Sequence, residues 1–146
     1  MKLRSTDRSL PMALLRAREA VMIRFRPLLA AHRVTEQQWR VLRVLAESGP
    51  QDATQLAARC CILRPSMTLI LRTLAARKLV SRRRHERDGR RLMLEATAKA
   101  LDLIAKVAPE TNSIYRTLEA EFGRERLEGL LDVLEELSNT RPPRPR

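Results

Sequence analysis

Over residues 53–94 the spacing of apolar positions changes character, and that change divides the chain. In LRPSMTLILRTLAARK, taken at about 100° per residue, Met67, Ile70, Leu71 and Leu74 share one narrow arc. Pro65, Thr68, Leu69 and Arg72 project from the opposite side, so a two-faced helix is predicted over about 64–77. The pattern then reads as two strands, Leu79 to Arg84 and Arg90 to Glu95. Glu86-Arg87-Asp88-Gly89 lies between them, with Asp88-Gly89 as hairpin-turn chemistry. Ahead of the two-faced helix, Asp52 with Gln55 three residues on is a capping pattern that starts a short helix, TQLAARC. Helix, turn, helix and basic hairpin form the predicted centre of the chain.

The flanks read as helices. Ser9 is placed to cap a helix with Pro11 in its first turn, running to about Ala31. Its stripe is Leu14, Ala17, Val21, Phe25 and Leu28, and Pro27 inside it predicts a kink because proline removes a helical hydrogen bond. Thr35 and Gln38 form a capping box for a helix to about Ser48 that should bury Trp39, Leu42 and Leu45 before Gly49-Pro50 stops it. Thr97 is placed to cap a helix that passes Ile104 and Tyr115 to Phe122, bent at Pro109. Gly123 breaks the chain, and a last helix, about Arg124 to Ser138, carries Leu127, Leu130, Leu131, Leu134 and Leu137. Residues 1–8 read as a loose arm and the end as a Pro/Arg tail.

The predicted order is α-α-α-α-β-β-α-α, a mainly α fold with a small β wing and no internal repeat. The leucine stripes of the outer helices exceed what the central module can cover. They are expected to pack together and against a second copy, giving a two-fold homodimer. On this reading residues 9–31 and 97–138 are dimerisation helices, and 35–95 is a winged helix-turn-helix lobe with its wing over about 79–95. Two such lobes could address half-sites about 34 Å apart, one turn of DNA.

Charge sharpens this picture. The net charge is +12 and the pI about 11.3, which favours polyanionic partners. Between Arg72 and Arg91 nine Lys/Arg stand against two Asp/Glu, so most of the excess sits beside the two-faced helix. An aromatic content of 3% argues against an all-β fold. No apolar run is long enough for a bilayer and no signal-peptide pattern opens the sequence, so no membrane partner is expected. Cys60 and Cys61 are neighbours that could bridge only with strain, which suggests a reduced, cytoplasmic setting. The histidines, His32 and His85, fall in different modules, and no metal spacing, phosphate loop or nucleophile motif occurs. No catalytic residue, metal or cofactor is expected.

For double-stranded DNA, the groove-facing candidates are Arg64, Pro65, Ser66, Thr68, Leu69, Arg72 and Thr73. Hydroxyls can bond base edges or phosphate, Leu69 can meet a thymine methyl, and Arg72 can bond guanine through two donors. In the wing, Arg90 is the candidate for the minor groove, with Asp88 bracing its guanidinium. Arg82, Arg83, Arg84, Arg87 and Arg91 would neutralise phosphate.

Three segments, ALLRAREAVMIRFRP (13–27), TEQQWRVLRVLAES (35–48) and CILRPSMTLIL (61–71), together with Asp88-Gly89-Arg90, resemble the MarR family of winged helix-turn-helix transcriptional regulators. The resemblance implies a homodimeric repressor of a catabolic operon, bound to a palindromic operator and released by a small aromatic acid. The first two segments point to a subgroup with hydroxyphenylacetate inducers such as 4-hydroxyphenylacetate or homoprotocatechuate. An aromatic carboxylate needs a cation or donor at its anionic end and an apolar wall for its ring. Arg16, His32, Trp39 and Arg40 are the candidates, although Trp39 also fits a core position and His32 a helix cap. The sequence departs from the family pattern at Lys78, where a glycine is usual and the helix should end less sharply. It departs again at Thr73, often arginine, and at Ala100, often glycine. Cys60-Cys61 leaves open a redox-responsive regulator, with packing at the inter-helix turn as the plainer role. A non-specific architectural nucleic-acid-binding protein is the other alternative.

Overall fold

The structure, a computed structural model, describes residues 2–140. The expected Pro/Arg tail lies outside the described residues. The chain divides into two compact units at Glu110/Thr111.

The first unit begins with a short 3-10 turn, Thr6–Arg8, where a loose arm was expected. The helix α1 (Leu10–Ala31) follows, with Pro11 in its first turn and Pro27 within it. Ser9 is the N-cap by backbone alone, since its side chain makes no capping bond. Of the predicted stripe, Phe25 and Leu28 are buried, whereas Leu14 and Val21 stay exposed. The turn at Val34 leads into α2 (Glu36–Ser48), started by a complete capping box. Thr35 Oγ1 accepts from the Gln38 N–H and Gln38 Oε1 accepts from the Thr35 N–H, each at 3.1 Å. Gly49 ends α2 with φ of 74°, a left-handed value that favours glycine.

A two-residue strand, β1 (Gln51–Asp52), then precedes α3 (Ala53–Cys60). Asp52 and Gln55 form a second complete capping box. After a turn at Cys61 comes α4 (Arg64–Ala76), with Pro65 in its first turn. The strands β2 (Val80–Arg84) and β3 (Leu92–Ala96) make an antiparallel hairpin that registers Arg82 against Leu94. The missing piece in the sequence reading is β1, which pairs with β3 through Gln51 opposite Leu94 and makes a three-stranded sheet in the order β1-β3-β2. The second hairpin strand begins at Leu92, not at Arg90. Gly89 has no positive φ, so Asp88-Gly89 is not a tight two-residue turn; residues 85–91 form a longer loop.

The core of this unit lies under α4. Met67, Ile70, Leu71 and Leu74, the predicted arc, are all buried with Val41, Leu42, Leu45, Leu56, Leu79 and Leu94. Trp39, expected among them, is only half-buried. The helix α5 (Ala98–Phe122) adds Ala100 and Ile104 to this core, and Thr97 prepares its start. The Thr97 hydroxyl accepts from the Ala100 N–H at 3.2 Å and donates to the Lys78 carbonyl at 2.7 Å.

Lys78 corrects one expectation. It takes the left-handed conformation itself, with φ of 60°, and its N–H reaches the Ala75 carbonyl while Leu79 N–H reaches Leu74. The helix therefore ends as sharply as a glycine would end it. A lysine held there is strained, so Lys78→Gly is expected to raise the unfolding free energy by about 1 kcal/mol. Urea denaturation checks this, and an unchanged or lowered value would show that the strain is relieved elsewhere. Arg77, just before it, donates to the Arg33 carbonyl at 2.5 Å, and Lys99 donates to the Arg77 carbonyl at 2.9 Å.

The second unit holds the later part of α5 and α6 (Arg124–Ser138). Gly123, with φ of 98°, separates the two helices as expected. No residue of α6 is buried, and Leu130, Leu131, Val133 and Leu137 are exposed.

Candidate nucleic-acid interface

The candidate surface is the outward face of α4, whose opposite face is fixed in the core. Arg64, Pro65, Ser66, Thr68, Leu69, Arg72 and Thr73 are all exposed on it. Two of its hydroxyls are used internally: Thr68 donates to the Arg64 carbonyl at 3.2 Å and Thr73 to the Leu69 carbonyl at 3.1 Å. Their methyls and oxygen lone pairs remain for a partner, so both threonines are restricted to accepting and to apolar contact. Leu69 is 62% exposed, and Leu63, at the N-cap, is 78% exposed. Sequence reasoning missed Leu63. The buried Ile62 and Met67 on either side would have marked it as the outward position.

The sheet carries the wing beside α4. Arg82, Arg84, Arg87, Asp88 and Arg90 are exposed. The loop is internally bonded: Arg84 donates to the Gly89 carbonyl at 2.8 Å, and the Arg91 N–H to the Asp88 carbonyl at 3.0 Å. The Asp88 carboxylate accepts from the main-chain N–H of Arg90 at 3.1 Å, in place of the expected brace to its guanidinium. Arg91 departs from its expected role at phosphate. Its guanidinium bonds Asp52 Oδ2 at 2.8 and 3.2 Å and Gln55 at 3.4 Å, tying the wing to the start of α3. Arg83 faces Glu95 across the hairpin at 3.4 Å. The Gln55 amide and then the Arg91 guanidinium hold the Asp52 carboxyl below the usual carboxylate range.

The four effector candidates are not gathered at one point. Arg16 donates to the carbonyls of Thr6 and Asp7 at 3.3 and 3.2 Å. His32 is the C-cap of α1 and stands 3.6 Å from Glu110. Arg40 donates to the Cys60 carbonyl at 2.6 Å and lies 3.6 Å from Glu36. Trp39 keeps a ring face covered by Arg43, whose guanidinium is 5.9 Å from the ring centre. Arg43, also paired with Glu47, was missed, although four residues after Trp39 is the neighbouring position on a helix. A separate open cleft of about 460 Å³ is lined by Arg26, Leu29, Ala30, Arg33, Val34, Thr35 and Glu36. At its rim Glu36 pairs with Arg18 and with Arg26, and these guanidinium groups, Arg18 foremost, lower its pKa.

Cys60 is fully buried, and burial pushes its thiol pKa up, away from reactivity. Cys61 is exposed in the left-handed conformation, with φ of 52°, so only one of the two cysteines packs as expected. Among the described residues no group of three or more His, Cys, Asp or Glu could hold a metal ion, and no helix is long and apolar enough to cross a membrane.

The MarR family pattern matches residues 34–92, from the turn before α2 to the start of β3. The homoprotocatechuate degradative operon repressor of Escherichia coli is 43% identical over 136 residues, 91% of this chain and 92% of its own. The structure of NadR in complex with 4-hydroxyphenylacetate superposes with a TM-score of 0.84 at 40% identity, covering 97% of this chain and 100% of that one. The transcriptional repressor CouR, solved on a 23-mer DNA duplex, superposes with a TM-score of 0.83 at 27% identity, covering 95% and 99%. Two of these relatives, the operon repressor and CouR, are repressors of transcription. With a winged helix-turn-helix in place and a 43% identical relative along nearly its whole length, the chain belongs to the MarR family.

Proposed function

We propose that this protein is a homodimeric, ligand-responsive transcriptional repressor in the cytoplasm. It binds palindromic operator DNA and is released by a small phenolic acid such as 4-hydroxyphenylacetate or homoprotocatechuate. The observation that carries this reading is the pairing of an exposed, polar and apolar α4 face with an arginine-rich wing, on a chain 43% identical to an operon repressor. On DNA, α4 enters the major groove with Arg64, Pro65, Ser66, Thr68, Leu69, Arg72 and Thr73. The wing brings Arg90 to the minor groove, while Arg82, Arg84 and Arg87 meet phosphate and Asp88 shapes the loop that carries them. Residues 35–95 are the DNA-binding lobe. Residues 9–31 and 97–138 are the dimerisation helices, and their uncovered apolar residues, among them Leu15, Ile23 and Leu131, support that division.

For the effector, Trp39 offers a ring wall, with the Arg43 guanidinium beside it as a partner for a carboxylate. Arg16, His32 and Arg40 complete the candidate set, and each would first have to leave its present partner. Binding of NadR to 4-hydroxyphenylacetate supports the choice of ligand class.

Footprinting on palindromic sequence upstream of a catabolic operon, with and without 4-hydroxyphenylacetate, tests the proposal. Protection of two half-sites that the ligand lifts is expected; uniform coverage, or indifference to every phenolic acid, overturns it. In the same assay Arg90→Ala should weaken binding and lower the slope of log K against log salt by about one charge. An unchanged slope would remove Arg90 from the interface.

A further inference from the structure

The wing loop, residues 85–91, has an organising residue that the DNA-binding reading does not use. His85 closes β2, half-buried, and its own N–H continues the ladder to the Arg91 carbonyl at 2.9 Å. Its ring turns back over the loop. Nδ1 accepts from the Arg87 N–H and from the Asp88 N–H, both at 3.1 Å. Two successive main-chain donors therefore converge on one ring nitrogen, as they converge on a side-chain oxygen in an Asx turn. Asp88 then takes the Arg90 N–H, two residues on. The imidazole shapes the first half of the loop and the carboxylate the second.

That division matters because Arg87 and Arg90, both exposed, ride on those two halves. A free loop of seven residues would lose conformational entropy at each residue on being ordered against a nucleic acid. A loop already folded by its own side chains avoids most of that loss. Gly89 has no positive φ, so no glycine-specific turn sets this shape; the His85 and Asp88 acceptors do so together with the Arg84 bond to the Gly89 carbonyl and the Arg91 N–H bond to Asp88.

We propose that His85 is a positioning residue of the wing. By accepting the Arg87 and Asp88 amides through Nδ1, it holds the loop in the shape that presents Arg87 and Arg90 to DNA. The role rests on the operator-binding reading above, and two measurements separate the ring's bonds from their use. Amide hydrogen exchange in the free protein reports the bonds directly: His85→Ala should lose protection at the Arg87 and Asp88 amides. Unchanged protection at both amides would overturn the proposal whether or not the protein binds an operator.

Operator affinity reports the use. His85→Ala should bind about tenfold more weakly, because its loop must be ordered on binding, and since both bonds are made in the free protein its melting temperature should fall by no more than a few degrees. His85→Asn keeps a side-chain acceptor near the same place and should bind within about threefold of the wild type. An alanine variant that binds like the wild type overturns the positioning role. So does an asparagine variant as weak as alanine, which would assign the imidazole to the DNA itself. A wild-type protein that protects no palindrome would defeat the operator reading and this use of the loop, while the exchange data would still decide the cap.

Discussion

Replacing Leu74 by alanine is expected to lower the unfolding free energy by about 2–5 kcal/mol, measured by urea denaturation. Leu74 is fully buried on the inner face of α4, in the cluster that also holds Leu42, Leu56, Met67 and Leu79. Truncation removes its apolar area from that cluster and leaves a void that close-packed neighbours refill only in part. Against a typical total of about 5–15 kcal/mol, this is a large share of stability. Leu69→Ala, five residues earlier on the outward face, is the internal control and should stay within about 0.5 kcal/mol. A cost below about 1 kcal/mol at Leu74 would mean that α4 is not seated as described.

The second large effect is expected at Asp52, because one carboxylate serves two elements. It caps α3 through the Gln55 N–H at 2.8 Å, and it anchors Arg91 from the far side of the wing loop at 2.8 Å. Loss of a cap costs about 1 kcal/mol, and a charge-assisted hydrogen bond adds a similar amount. Asp52→Ala should therefore cost about 2 kcal/mol. Arg91→Ala, which leaves the cap in place, should cost about half of that. The sign of the pH dependence follows from the lowered pKa of Asp52. A carboxyl whose folded pKa lies below its unfolded value, near 3.9, stabilises fully above that unfolded value. The contribution fades as pH falls through the folded pKa. The wild type and Asp52→Ala should thus differ at pH 7 and converge in strong acid, and a constant gap down to pH 2 would exclude this role.

Much of the fold could be read from spacing because its determinants are local. Both capping boxes lie within four residues of sequence, and the arc of Met67, Ile70, Leu71 and Leu74 is a property of one helix. What could not be read depends on partners far along the chain. Gln51 and Asp52 are too few to show a strand period, and only Leu94 and Met93, some forty residues later, make them β1. Arg91 looked like any wing arginine until Asp52 came within reach. The hairpin misled for a different reason. Asp88-Gly89 is turn chemistry in composition, but the bonds that His85 and Asp88 make to nearby amides set a longer loop.

The outward face of α4 was legible, since a buried arc implies its complement. The effector candidates were less so. Helical spacing put Arg16, Trp39 and Arg40 on plausible faces, yet it could not show that the carbonyls of Thr6, Asp7 and Cys60 compete for those guanidinium groups.

The clamp at the carboxyl end of α4 has a mechanical consequence. Arg77 grips the Arg33 carbonyl in the turn between α1 and α2, and Lys99 grips the Arg77 carbonyl from the first turn of α5. Helix α4 is thus tied at its far end to a turn that borders the open cleft. Were a molecule in that cleft to draw on this tie, its effect on a partner of α4 and that partner's effect on it would be equal in binding free energy.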